Sequence, residues 1–286
     1  MGPDLTAVGA AYGRALHVIL DDLPYVFEDM TSIKLADDRT LQAARLAGSD
    51  GRLAILPDDP RARARGSFVG RARFVEDLVS ARLAKGVVQY VILGAGLDTF
   101  GQRRGDLVSR LHVFEVDTPR TQQWKRQRIR DLSLVVPENL SYVPVDFESG
   151  DSWVEAISRS GFDIRRPAII ASTGVSQYIS VDAMMKTLRE AAQLAPGTTF
   201  VCTSLLPIEL VTDPVWKEVR TLTAAGAASR GAPWISFYTP EQFMALAQTA
   251  GFDDVRDATA EVNERHFASR KDGLRCFETI MSASRR

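Results

Sequence analysis

The chain has 286 residues, 45% of them hydrophobic and 25% charged, with a formal net charge of −1 at pH 7. That composition supports a sizeable α/β core, and the near-neutral balance supplies no global field to draw the chain to nucleic acid or a membrane. The two cysteines, Cys202 and Cys276, lie in apolar, strand-like runs and are expected to be reduced core residues, and no Cys-x-x-Cys or His/Cys cluster suggests a metal.

Met1–Leu20 lacks a basic stretch followed by an uninterrupted apolar run, so it does not read as a signal peptide. No run approaches the ~20 apolar residues of a membrane span, and the expectation is a cytoplasmic protein. The first 86 residues read as helical: Thr6–Leu20 is rich in Ala, Leu and Val, and 61–85 continues the pattern after a turn-rich Leu56–Pro60. Within it Arg61, Arg63, Arg65, Arg71 and Arg73 form a basic cluster, read as a solvated helix face with a few anion contacts.

Beyond residue 86 strands alternate with helices. Strands are expected at 87–93, 111–116, 141–145, 167–172, 198–204, 252–258 and 274–282, and helices at 118–131, 151–160, 181–194 and 239–250. Pro119 suits a first helical turn, Pro196-Gly197 ends a helix, and Thr239-Pro240-Glu241-Gln242 has the form of a capping box. This alternation predicts a doubly wound, mostly parallel sheet. Residues 205–238 interrupt it with a helix expected at 213–225 and a Gly/Ala/Ser-rich passage, an insertion long enough to act as a lid.

The most informative stretch is 87–99, an apolar, β-branched run that ends at Gly94 and Gly96 and is followed by Asp98. Paired glycines let the backbone turn sharply and approach a ligand without a Cβ in the way. The next strand ends in Glu115 and Asp117, and Glu115 lies nineteen positions after Gly96, close to the spacing at which a carboxylate meets a ribose diol. Following the third strand come Asp146 and Phe147, an acid and an aromatic suited to an adenine amino group and ring face.

Three acids at successive strand ends point to a nucleoside-bearing cofactor. A dinucleotide fingerprint requires a third glycine where this chain has Thr99, and Asp98 would repel a pyrophosphate. The same carboxylate suits a ligand that carries a sulfonium and an ammonium, which favours S-adenosyl-L-methionine (SAM).

Six segments then line up in order: Gly70-Arg71-Ala72-Arg73-Phe74, Leu93-Gly94-Ala95-Gly96-Leu97-Asp98-Thr99, Phe114-Glu115-Val116-Asp117, Val143-Pro144-Val145-Asp146-Phe147, 172–179 (Ser-Thr-Gly-Val-Ser-Gln-Tyr-Ile) and 270–275 (Arg-Lys-Asp-Gly-Leu-Arg). Over nearly its full length the chain resembles the leucine carboxyl methyltransferase-like family of class I SAM-dependent methyltransferases, and more closely their bacterial branch, which includes polyketide O-methyltransferases. The resemblance implies a Rossmann-like, seven-stranded sheet with an antiparallel last strand, in one domain spanning 1–286. Residues 1–86 would form its helical cover and 205–238 its lid.

The resemblance also implies roles. Arg71 or Arg73 would pair with the cofactor's methionine carboxylate. Gly94 and Gly96 would admit the ligand, Asp98 would hold its amino-acid end, Asp117 or Glu115 its ribose, and Asp146 with Phe147 its adenine. Thr173 stands where the eukaryotic carboxyl methyltransferases carry Glu, so contacts there must differ, and a protein C-terminus is disfavoured as substrate.

The expected reaction is methyl transfer to an oxygen, carboxylate or hydroxyl, of a small molecule, with neither nucleic acid nor a membrane as partner. Tyr178 is the expected catalytic contact, or else an aromatic packed beneath the cofactor. A carboxylate acceptor needs no base, whereas a phenol, with a pKa of about 10, benefits from one. Of the three histidines, His112 reads as structural, and His17 or His266 could face the pocket. Trp234, Phe237 and Tyr238 either line the acceptor site or pack the insertion onto the core. The alternatives are an NAD-dependent oxidoreductase and a non-catalytic binding module on the same fold.

Overall fold

A computed structural model describes residues 5–35, 60–229 and 231–286, apart from the side chains of 60–64 and 108. Most of the turn expected at Leu56–Pro60 and the side chains of Arg61 and Arg63 lie outside the described residues. Among the described residues the helices α1 (Leu5–Leu20), α2 (Met30–Leu35) and α3 (Pro60–Leu83) come first. The alternating region follows as β1 (Gln89–Leu93), α4 (Phe100–Arg103), α5 (Gly105–Val108), β2 (His112–Asp117), α6 (Pro119–Asp131), β3 (Leu140–Pro144) and α7 (Trp153–Ser158). Then come β4 (Ile169–Ser172), α8 (Val181–Ala192), β5 (Thr199–Ser204), α9 (Pro214–Ser229), α10 (Pro240–Ala250), β6 (Asp254–Asp257), α11 (Thr259–Phe267) and β7 (Thr279–Ser284).

The strands form one sheet in the order β3-β2-β1-β4-β5-β7-β6, parallel except for β7, which runs antiparallel to both β5 and β6. The order reverses between β1 and β4, where open α/β sheets hold their ligands at the carboxyl edge. β1 and β5 are buried along their whole length because helices cover both faces. Alternate side chains enter opposite layers. Val91 and Leu93 pack with Phe114, Ile170 and Phe200 on one face, while Tyr90 and Ile92 pack with Val113, Ile169 and Val201 on the other.

Most boundaries fall within a residue or two of expectation, and three of the differences have a local reason. β1 starts at Gln89 rather than at residue 87 because the Val87 amide bonds back to Arg82 O at 3.1 Å, finishing the end of α3. Helix α9 runs on to Ser229, since the Ala-rich passage after Thr223 is a good helix former rather than a loop. The last strand starts at Thr279, not 274. Before it, the Cys276 and Phe277 amides bond to Asn263 Oδ1 (2.8 Å) and Ser67 Oγ (3.0 Å) on the flanking helices.

The N-terminal cover is fastened to the sheet through Asp29, which is fully buried. Its carboxylate pairs with Arg14 Nε at 2.9 Å and Arg103 Nε at 3.4 Å, and accepts from Thr99 Oγ1 at 2.7 Å. Arg14 also donates to Leu97 O at 2.8 Å, so α1 grips the turn after β1 directly. Thr99 thus spends its hydroxyl on the cover, a use for the position at which a dinucleotide fold needs glycine. Burial by itself raises the Asp29 carboxyl, but Arg14 and Arg103, with Ser32 and Thr99, hold it down at about 2.

That value lies below the ordinary 3.8, so the stabilisation is complete above 3.8 and is lost as the pH falls through about 2. Urea unfolding should show a loss of about 2 kcal/mol from this group across that window. Asp29→Asn is expected to cost about 3 kcal/mol at pH 7, because the largely buried Arg14 loses its counter-ion and Arg103 is left with Glu76 alone. About 2 kcal/mol of that difference from the wild type should vanish near pH 2, as Asp29 itself becomes neutral.

Candidate active site

At the end of β1 the backbone turns through Gly94 (φ +67°) and Gly96 (φ +47°). A Cβ on Gly94 would lie 2.3 Å from Val175 Cγ2, so both conformation and close packing require glycine there. The Gly94 and Ala95 amides donate to Val116 O at 2.8 and 3.1 Å, and the Gly96 amide donates to Asp117 Oδ2 at 2.6 Å. Asp117 Oδ1 takes the Thr118 amide at 2.7 Å, and Thr118 caps α6 with Pro119 in its first turn. Asp98 Oδ1 accepts from the Phe100 amide at 2.7 Å, and Asp146 Oδ1 from the Glu148 amide at 3.0 Å.

These strand ends border one cavity of about 750 Å³, within the range of small-molecule sites. Over β1, β2 and β3 its wall holds Gly94, Gly96, Asp98, Asp117, Asp146 and Phe147. Over β4 and β5 it holds Thr173, Tyr178 and Arg71, whose Nη1 pairs with Glu278 Oε1 at 2.6 Å. Gly174 (φ +73°) makes room for this arginine, since a Cβ there would come within 2.6 Å of Arg71 Nη2. The cover contributes Ala7 and Tyr12, and the insertion closes the far side with Trp216, Arg220 and Trp234.

Two expected site residues lie outside the cavity wall. Glu115 is on the same face of β2 as Asp117 but one pleat below the edge, where Lys125 Nζ of α6 meets it at 2.5 Å. Burial pushes its carboxyl up to about 7 against the pull of Lys125, so it is a core group closed to a ligand. Arg73 sits half exposed on α3, two positions round the helix from Arg71, and pairs with Asp77 at 2.9 Å.

The aromatic residues of the insertion divide. Trp234 lines the cavity and meets Tyr178 edge-on at 6.5 Å. Phe237 packs within the insertion, and Tyr238 stacks on Phe243 of α10 at 5.3 Å. None of the three histidines lines the cavity. His17 Nε2 accepts the Val26 amide at 2.9 Å, so its proton is on Nδ1, facing Asp21 at 2.7 Å. His112 bonds to Ser141 Oγ at 2.9 Å, and His266 faces Asp77 at 3.6 Å.

Sequence reasoning missed Trp216, Arg220 and Glu278. The available signal was spacing: Trp216, Val219, Arg220, Thr223 and Ala227 recur along one face of α9, all on the cavity wall. Electrostatically, the wall over β1–β3 is acidic through Asp98, Asp117 and Asp146, while Arg14 and Arg103 are committed to Asp29. That wall fits the cationic sulfonium and ammonium of SAM, and the glycine turn leaves space for its backbone-side approach. Among the described residues no group of His, Cys, Asp and Glu could hold a metal, and no helix is long and apolar enough to cross a membrane.

The family model described as leucine carboxyl methyltransferase matches residues 7–192. A Bacillus subtilis (strain 168) protein with the provisional name S-adenosyl-L-methionine-dependent methyltransferase YktD is 28% identical over 96% of this chain and 95% of its own. A provisionally named S-adenosyl-L-methionine-dependent methyltransferase of Frankia alni, FRAAL3718, is 29% identical over 81% of this chain and 76% of its own. The crystal structure of a provisionally named methyltransferase from Thermobifida fusca YX superposes with a TM-score of 0.57 at 17% identity, covering 92% of this chain and 97% of that one. At that identity the likeness is one of fold.

Gly86→Ala and Gly94→Ala separate strain from packing in the glycine turn. Both positions have positive φ, but nothing lies within 4 Å of a Cβ at Gly86. Gly86→Ala should cost about 1 kcal/mol in urea unfolding. Gly94→Ala should cost about 3 kcal/mol, because Val175 must also move.

Proposed function

Because the chain belongs to the leucine carboxyl methyltransferase family, a family of SAM-dependent enzymes, we propose that it methylates an oxygen of a small molecule. SAM supplies a methyl group on a positively charged sulfur. The protein supplies position and exclusion of water, which in well-oriented systems offset roughly 7–11 kcal/mol of barrier. One observation carries this reading: one cavity has the acids Asp98, Asp117 and Asp146 on one wall and the aromatic residues Tyr178, Trp216 and Trp234 on another.

In this assignment Asp117 takes the ribose hydroxyls, and Asp146 with Phe147 the adenine. Asp98 takes the ammonium and Arg71 the methionine carboxylate, while Gly94 and Gly96 admit the ligand. Thr173 borders the methionine end without the charge that a Glu would add. Tyr178 sits against the transferred methyl as the catalytic contact, and the insertion's Trp216 and Trp234 hold the apolar body of the acceptor. The cavity's volume of about 750 Å³ supports a small acceptor rather than a folded protein surface.

Incubation with methyl-labelled SAM and a panel of small acids and phenols should yield labelled methyl esters or ethers. Saturable SAM binding with no labelled product from any acceptor would favour a non-catalytic binding module, and stabilisation by NAD but not by SAM would favour an oxidoreductase. By calorimetry, Arg71→Ala should weaken SAM binding about tenfold or more, since a charge-assisted bond is lost. Arg73→Ala should change it less than about twofold, because that side chain serves Asp77 at the surface.

A further inference from the structure

Arg220, on the cavity face of α9, is only 2% exposed. Its Nη1 donates to Leu206 O, its Nε has no partner, and its guanidinium lies 5.7 Å from the ring centre of Phe237. Among the described residues no carboxylate comes within ion-pair distance of it. Glu278 and Glu209 act on it only at longer range, and Glu278 is already neutralised by Arg71. Burial accordingly lowers the Arg220 guanidinium to about 10, against the pull of those two acids.

A buried cation without a counter-ion is costly, and in a ligand cavity the missing charge is one that the ligand can bring. The other arginines on this wall among the described residues, Arg14, Arg65, Arg71 and Arg103, pair with Asp29, Asp21, Glu278 and Glu76 respectively. Arg220 differs from all four. We infer that Arg220 binds the methyl acceptor's oxygen as an oxyanion, and so does the work that a general base would otherwise do. The inference rests on the methyl-transfer reading above, and it accounts for a cavity wall without histidine.

For a carboxylate acceptor the negative charge arrives with the molecule. For a phenol or enol, the O–H bond breaks on binding and the proton goes to bulk water. In either case a lone pair on that oxygen forms the new C–O bond as the C–S bond of the donor breaks, and the bonding pair stays on sulfur, which becomes neutral. Arg220 compensates the oxyanion until that charge is consumed.

The test uses two kinds of oxyanion on the full chain saturated with S-adenosylhomocysteine, the demethylated product. 4-Nitrophenol reports its own ionisation by absorbance, with 4-nitroanisole as the neutral match. 4-Phenylbutanoate and its amide are followed by the change in tryptophan fluorescence, with Trp216 and Trp234 on the cavity wall as reporters. The bound nitrophenol should ionise at least about one pH unit below the free compound. The acid should bind about thirtyfold more tightly than the amide.

Arg220→Gln should abolish both effects while leaving S-adenosylhomocysteine affinity within about twofold. Arg220→Lys should restore part of each, because it keeps the charge without the fork. Preference for neither oxyanion in the wild type, or unchanged preference in Arg220→Gln, would overturn the assignment of Arg220. If Arg220→Gln does not fold, the wild-type nitrophenol midpoint and the Arg220→Lys data decide. Failure of S-adenosylhomocysteine to bind at all would instead sink the methyl-transfer reading, and this inference with it.

Discussion

The bond from the Gly96 amide to the Asp117 carboxylate holds the ends of two neighbouring strands at a fixed separation. The Gly94 and Ala95 amides already tie the turn after β1 to Val116 O, and this bond adds the side chain of the acid at the end of β2 to the same fixed geometry. Both partners are made possible by the residues around them. The turn reaches Gly96 only because Gly94 adopts a positive φ against Val175, and Asp117 faces the edge because it is the last residue of its strand. A parallel sheet suits this arrangement, since successive strand ends open onto the same edge.

The N-terminal helices secure that turn from above. Asp29 gathers Arg14, Arg103, Ser32 and Thr99 into one buried network, and Arg14 extends it to the Leu97 carbonyl. Removing any one partner leaves a buried charge or donor unmet, so the network ties the cover to the sheet more firmly than apolar contact alone. The cover and the cavity therefore share a structural element. A ligand bound between them meets a wall already fixed on one side by the sheet and on the other by α1.

Charge is sorted across the cavity. The acids over β1–β3 face a region where a cation is favoured, while Arg71 and Arg220 lie toward β4, β5 and the insertion. Glu278 separates the two arginines in role: it occupies Arg71 and leaves Arg220 uncompensated. The reaction proposed above, methyl transfer from a sulfonium to an oxyanion, would consume both a positive and a negative charge, and a site with acids on one side and an arginine on the other suits such a pair.

Local pattern was enough to place all seven strands and the glycine turn. β-branched apolar runs bounded by Gly, Pro and acid are short-range signals that tertiary contact did not override. Asp98, Asp117, Asp146, Phe147 and Tyr178 were legible for the same reason, since a residue that follows a parallel strand comes to the sheet edge wherever the rest of the chain goes. What pattern could not decide was depth and orientation. Glu115 and Asp117 both suit the spacing, and only the packed structure ends β2 at Asp117 and sets Lys125 of α6 against the buried Glu115. Arg71 and Arg73 are likewise distinguished by helix rotation, while Arg220 meets the cavity through an insertion whose path depends on Trp216 stacking on Phe277 at 4.6 Å. These are contacts between residues far apart in the chain, and their geometry exists only once the layers have packed.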